Sequence, residues 1–189
     1  MNDVKQFDGK DARHNRLINE AIRCYLDASD NYTKEKCFQK SKVCLDRAKL
    51  LLLQLKYANT NILNLSMDEA KAYFLNLRNF EEAREFAESY NITCWMEAVY
   101  KQVLHRQNFR YFEDYFTTFS VPTKFWLDVT DKFKSDPNIA KLEVIFKNFL
   151  KYLDDDFVKY KIAAELGFRD VVPKDICIEL YKEWIKGSL

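Results

Sequence analysis

Leu75-Asn-Leu-Arg-Asn79-Phe80-Glu-Glu82-Ala-Arg-Glu-Phe86-Ala-Glu-Ser-Tyr90 opens on a phrase, Leu-x-x-x-Asn-Phe, that returns at Leu104-His-Arg-Gln-Asn108-Phe109. The spacing from Leu75 to Leu104 is 29 residues, close to one helix-turn-helix unit of an α-solenoid. Asn79 and Asn108 are each placed to cap the helix that follows. Glu82, three residues after Asn79, can return a bond to the backbone N–H of the cap. Phe80 and Phe109, next to their caps, are expected to be buried at equivalent positions of successive hairpins. Such a unit positions surfaces for other proteins and performs no chemistry by itself.

Outward from this repeat the spacing stays helical. Leu17, Ala21, Cys24, Tyr25 and Ala28 predict a helix from Ala12 to about Ser29. Thr33 is expected to cap a longer helix reaching Tyr57. One face of it carries Cys37, Ser41, Cys44, Ala48, Leu51, Leu52 and Leu55, while Leu50, Leu53 and Tyr57 project the other way. Its C-terminal half is therefore expected to lie between two layers. Ile62 and Leu63 tack a connection onto the core, and Ser66-Met-Asp-Glu69 is a capping box for a short helix ending at Phe74. Beyond the repeat, helices are predicted at Cys94–Arg106 and at Phe109–Thr118. Pro122 is placed in the first turn of the next, with Phe125, Trp126, Val129 and Phe133 on one face.

Asp136-Pro137 is expected to start a helix to Leu153 through Leu142, Ile145, Phe146 and Phe149. Asp154, Asp155 and Asp156 suit the start of another, with Gly167 as its stop. Pro173 opens a last helix carrying Ile176, Leu180 and Trp184. With three Gly and three Pro in 189 residues, few turns are available to a β-rich chain. The expected fold is all-α, an α-solenoid-like array of antiparallel hairpins with about nine or ten helices. It occupies 12–187 as one domain behind a frayed or disordered head over 1–11.

Thirty basic side chains against 29 acidic ones leave a net charge of +1. No long run of like charge suggests a hold on nucleic acid or on an acidic membrane. The opening Met1-Asn-Asp-Val-Lys-Gln-Phe is polar, and the longest aliphatic run, Leu50 to Leu53, is too short to span a bilayer. Five cysteines without CxxC spacing read as reduced thiols in a cytoplasmic protein. Cys37 and Cys44 lie about 10 Å apart along a helix, too far to share a zinc. Cys24, Cys94 and Cys177 fall in apolar stripes, where a thiol acts as a small hydrophobe.

His14 and His105 are the two histidines, and neither belongs to a metal or nucleophile pattern. The Asp154–Asp156 cluster lacks the spacing and the glycine of a calcium loop. No catalytic site, metal or cofactor is expected.

Fifteen Phe, eleven Tyr and three Trp are the more informative feature. Trp95 and Trp126 are each expected to seal a junction between repeats. On the Phe109 helix, Phe109, Phe112, Phe116 and Phe119 make one face, and Tyr111 and Tyr115 extend it. These tyrosines either pack beneath the next repeat or, with Thr118, form a partner-binding surface.

Three runs in this order, Phe80-Glu-Glu-Ala-Arg-Glu-Phe-Ala-Glu-Ser-Tyr90, Trp95-Met-Glu-Ala-Val-Tyr-Lys-Gln-Val103 and Asn108-Phe-Arg-Tyr-Phe-Glu-Asp-Tyr115, resemble the spatacsin C-terminal domain. The likeness continues through Phe146-Lys-Asn-Phe-Leu-Lys-Tyr-Leu153 and Tyr160-Lys-Ile-Ala-Ala-Glu-Leu-Gly-Phe168. It runs from about Lys49 to Val172. The resemblance implies a fragment of a much larger, non-catalytic scaffold. That protein would be recruited to the cytosolic face of late endosomes and lysosomes, without inserting into the membrane. It implies partners, a spastizin-like protein and subunits of the fifth adaptor protein complex. It also implies a role in autophagic lysosome reformation and vesicle traffic, with a link to hereditary spastic paraplegia. The shared runs are packing motifs, so no site residues follow from them. The alternatives are a peptide-binding helical-repeat module of another trafficking or chaperone system, and an all-α enzyme. The enzyme would show His105 or a cysteine beside a carboxylate in a deep pocket.

Overall fold

A computed structural model describes residues 9–57, 61–168 and 170–171, and among these every regular element is helical. The chain divides into two compact units, 1–94 and 95–189. The first holds α1 (Gly9–Lys34), α2 (Phe38–Lys56), a 3₁₀ turn (Ile62–Asn64), α3 (Met67–Phe74) and α4 (Phe80–Tyr90). The second holds α5 (Trp95–Tyr100), a π-helical turn (Lys101–His105), α6 (Phe109–Thr118), α7 (Thr123–Lys134), α8 (Ile139–Leu150) and α9 (Asp156–Glu165).

In the first unit, α1 packs along α2, and α4 packs on α2 in turn. Ile18 and Ile22 of α1 meet Ala48 and Leu51 of α2 in a core that Ala21, Tyr25, Leu55 and Leu63 border. Leu50 and Leu53 are buried as well, so the C-terminal half of α2 is covered on two sides as its pattern predicts. Leu52 departs from that pattern, at 52% exposed.

The break between α1 and α2 falls later than expected. Thr33 does not cap α2. It lies inside α1, and its hydroxyl donates to the Ser29 carbonyl at 2.9 Å and bonds the Ser41 hydroxyl at 2.7 Å. The chain turns instead at Lys36, whose φ is 60°. The Cys37 N–H reaches back to the Tyr32 carbonyl and the Lys36 N–H to Thr33, the paired bonds of a Schellman stop. α4 ends in the same way at Asn91 (φ 53°), with Ile92 bonded to Ala87.

The Ser66–Glu69 capping box forms as its sequence requires. Asn79 caps α4 by accepting the Glu82 N–H at 3.1 Å. The Glu82 carboxylate does not complete a capping box, because Lys56 and the Tyr57 hydroxyl occupy it. That contact and its burial push the Tyr57 hydroxyl up to about 12, burial being the larger cause. The 3₁₀ turn is fastened by Tyr90. Its hydroxyl donates to the Ile62 carbonyl at 2.5 Å and accepts the Leu65 N–H at 3.1 Å. Ile62 is fully buried there.

The second unit has an aromatic core. Phe112 stands edge-on to Phe149 at 4.7 Å and to Trp126 at 5.6 Å. Trp126 meets Phe149 at 4.8 Å, and Phe133 stacks on Phe146 at 4.1 Å. Phe168 closes the series over Phe133 and Phe146. The predicted face of α7 is buried throughout. Pro122 stands one residue before that helix, at its cap.

α8 begins at Ile139, three residues beyond the expected Asp136 start, and Asn138 is its cap residue. Asp155 caps α9 through the Val158 N–H at 3.1 Å. Gly167 ends it with φ 74°, and among the described residues this is the one stop of the kind at which glycine supplies the left-handed residue. The helix expected from Pro173 lies outside the described residues.

Candidate interaction surface

α6 is fixed at its start by Asn108, whose side chain accepts the Tyr111 N–H at 3.4 Å. Its first and last residues coincide with those read from the sequence. Tyr111 is 1% exposed and Tyr115 is 7% exposed, so both lie inside the unit beside Phe112. Of the two roles open to these tyrosines, this is the packing position. Burial raises the Tyr115 hydroxyl above its ordinary range. Thr118 is exposed at the C-terminal end of the helix, with its hydroxyl donating to the Asp114 carbonyl at 2.8 Å.

The expected aromatic face is displaced around the helix. Phe112 is buried, but Phe116 is 37% exposed and Phe109 is half-buried. Phe80, its counterpart in the repeat, is fully buried, so the two phenylalanines are not equivalent. Trp126 seals the meeting of α6, α7 and α8, whereas Trp95 is half-buried against Tyr115 and Phe119.

The reason Phe109 differs is a shallow cleft of about 440 Å³ lined by Phe109, Asn148, Lys151 and Tyr152. Phe109 lies nearly parallel to Tyr152, with ring centres 6.2 Å apart. The Tyr152 hydroxyl donates to Glu113 at 2.6 Å, a bond that raises its pKa. Lys151 donates to Asn148 at 2.8 Å. The cleft is thus an aromatic wall with a polar rim on the outer side of α6. A second, smaller cleft of about 260 Å³ in the first unit is lined by Tyr57, Tyr73, Asn76, Leu77 and Arg78.

His105 does stand beside a carboxylate. Its Nε2 lies 3.1 Å from Asp136 Oδ2, and the Tyr100 hydroxyl donates to the same oxygen at 2.8 Å. The π-helical turn produces this meeting, because its extra residue carries His105 round toward the loop between α7 and α8. Lys132 lies 5.3 Å over the Tyr100 ring. Burial and the Asp136 bond push the Tyr100 hydroxyl well above its ordinary range. Burial alone would raise Asp136. The Asn138 backbone N–H, the Tyr100 hydroxyl and His105 together outweigh it and hold Asp136 below the usual carboxylate range. The group ties the π-helical turn to the start of α8.

A carboxylate depressed in the folded state contributes stability that is full above its unfolded pKa and is lost as pH falls through the folded one. Asp136 should therefore steepen the loss of stability below about pH 4. In Asp136→Asn the urea midpoint should be lower at neutral pH and fall less steeply with acid. An unchanged acid limb would mean that Asp136 does not contribute.

Four of the cysteines are described, and none of them forms a disulfide. Cys24 is exposed rather than buried in a stripe, and Cys37, Cys44 and Cys94 are half-buried. Cys177 lies outside the described residues. Among the described residues no three His, Cys, Asp or Glu side chains gather to hold a metal ion. No helix among them is long and apolar enough to cross a membrane.

Comparison with known proteins identifies the relatives of this chain. The model of the spatacsin C-terminus matches residues 3–135. The likeness therefore starts well before Lys49 and takes in both helices of the α1–α2 hairpin. A Dictyostelium discoideum protein is 30% identical over 153 residues, which are 74% of this chain and 4% of that protein. Mouse spatacsin is 27% identical over 166 residues, 85% of this chain and 7% of spatacsin. The chain thus spans a small part of the length of these relatives. No solved structure matches it. A family model that covers more than half of the chain, on a fold that is helical wherever it is described, shows that the chain belongs to the spatacsin C-terminal family.

Proposed function

We propose that this chain is a non-catalytic, protein-binding segment of a spatacsin-like scaffold. It acts with a spastizin-like protein and subunits of the fifth adaptor protein complex at the cytosolic face of late endosomes and lysosomes. Its service there is to autophagic lysosome reformation and vesicle traffic. Membership of the spatacsin C-terminal family carries this reading. The chemistry of the chain supports it: the polar groups that come together tie helices to one another, and the aromatic surplus is spent largely on packing.

The surface offered to the partner is the outer side of α6. It comprises Phe109 and Tyr152 in their cleft and exposed Phe116; Thr118, nine residues after Phe109, falls on the opposite side of the helix. Tyr111 and Tyr115 hold that helix in place from within.

Co-precipitation of the chain with a spastizin-like protein tests the reading. Capture is expected, and Phe109→Ser with Phe116→Ser should weaken it by at least about 2 kcal/mol if either ring is a hot spot. Circular dichroism should be unchanged. Folded wild-type chain that captures neither the spastizin-like protein nor an adaptor subunit would overturn the proposal.

A further inference from the structure

At the tip of the α1–α2 hairpin the chain reads Lys34-Glu-Lys36-Cys-Phe38-Gln-Lys40-Ser-Lys42. In sequence these lysines alternate with other residues and make no run. The turn at Lys36 gathers them around one end of the hairpin, four lysines against the single Glu35, and all five side chains are exposed. Among the described residues no carboxylate pairs with any of the four lysines. In the middle of the tip stands Phe38, 66% exposed, followed on α2 by Val43 at 53%. Lys40 is held over the Tyr32 ring at 5.5 Å.

From this arrangement we infer that the hairpin tip is a peripheral docking element for an anionic lipid surface, with Phe38 seated at headgroup depth and the lysines among the acidic headgroups. The tip ends a hairpin and presents one ring among exposed cations. A protein interface is built around a desolvated core from which Lys is depleted. A bilayer interface accepts this pattern, because lysine stems lie along the apolar boundary while their ammonium groups stay with the headgroups. Every positive side chain from Lys34 to Lys42 is a lysine, a point charge suited to a fluid array of anions rather than to one fixed carboxylate. The whole chain carries only +1, so attraction to an anionic surface has to come from a local patch such as this one. The contact is adsorption and requires no spanning segment.

Vesicle flotation with the full chain tests the inference. The probes are phosphatidylcholine vesicles with and without phosphatidylserine. The chain should float with the serine-lipid vesicles, stay behind with phosphatidylcholine alone, and detach at about 1 M salt, where the Debye length is about 3 Å. Lys40→Glu with Lys42→Glu should cut binding by roughly 25-fold or more, at about fivefold per lysine lost from the surface. That variant should keep the fold, because Lys40 stands in the first turn of α2, where negative charge favours a helix start, and Lys42 is an exposed position of the same helix. Phe38→Ser should cost about tenfold. Wild-type chain that fails to float, or a folded Lys40→Glu/Lys42→Glu variant that floats like wild type, would overturn the inference. Binding to polyglutamate without binding to vesicles would also overturn it and assign the tip to an acidic protein.

Discussion

Trp126→Ala is expected to destabilise the second unit by about 3–5 kcal/mol, the usual cost of deleting a buried large aromatic and leaving part of its volume empty. Trp126 is 2% exposed, and its ring meets three others, Phe112, Phe125 and Phe149, which belong to α6, α7 and α8. Relaxation of one helix cannot refill the space, because each wall is also held by a different neighbour. Phe149 is packed on Phe146, and Phe112 on Tyr152. A loss of this size is a large part of the 5–15 kcal/mol that holds a typical domain together. The urea midpoint should fall sharply, while Trp95→Ala, at a half-buried position, should cost clearly less. Equal midpoints for the two variants would show that Trp126 is not the central support of these three helices.

How much of this was legible in the sequence varies with how local the determinant is. The cap residues Ser66, Asn79 and Asn108 act on the first turn of their own helices, and all three are found in that role; of the three aspartates expected as charge at the start of α9, Asp155 is its cap. The faces of α7 and α8 were readable for a similar reason, since long apolar side chains at three- and four-residue spacing leave one side to bury.

The α1 stripe was misplaced by one residue. Leu17 is 56% exposed, while Ile18 and Ile22 form the core, because burial there is set by where α2 crosses and α1 has apolar residues on both candidate stripes. The stop at Lys36 was hidden because a lysine occupies the left-handed position that glycine or asparagine would have advertised. Thr33 drew the boundary too early for a complementary reason. Its hydroxyl is satisfied by Ser29 and Ser41, as a threonine inside a helix can be.

The Tyr100–His105–Asp136 tie was not legible at all. Two of its members share a helix that the π-helical turn rewinds, and the third lies on a loop more than thirty residues away. No local pattern reports either event. The basic tip was missed because charge was read along the chain, whereas a hairpin end concentrates charge in space.

Simultaneous replacement of Tyr111 and Tyr115 by Ser is expected to unfold the second unit. The sequence allowed these tyrosines either to pack or to bind a partner, and the two roles predict opposite results. A pair at a recognition surface could be truncated with the helical circular dichroism signal intact and partner capture lost. A pair inside the unit could not. Their burial beside Phe112 puts them inside. Tyr115 stands between Trp95 at 5.7 Å and Phe125 at 5.7 Å, and so joins α5 to α7 through α6. Each truncation removes a buried aromatic ring, at about 3–5 kcal/mol when the site cannot collapse. The serine hydroxyls that remain must also find partners in an apolar site. Together the losses approach or exceed the whole stability of an average domain. Circular dichroism and urea titration of the double variant are the measurements. The expected result is loss of the cooperative transition attributable to the second unit, whereas Thr118→Ala, at an exposed position on the same helix, should leave that transition in place. A double variant that keeps its helical signal and its midpoint would return the two tyrosines to the surface, and the partner-binding face would then have to be drawn across them rather than along the outer side of α6.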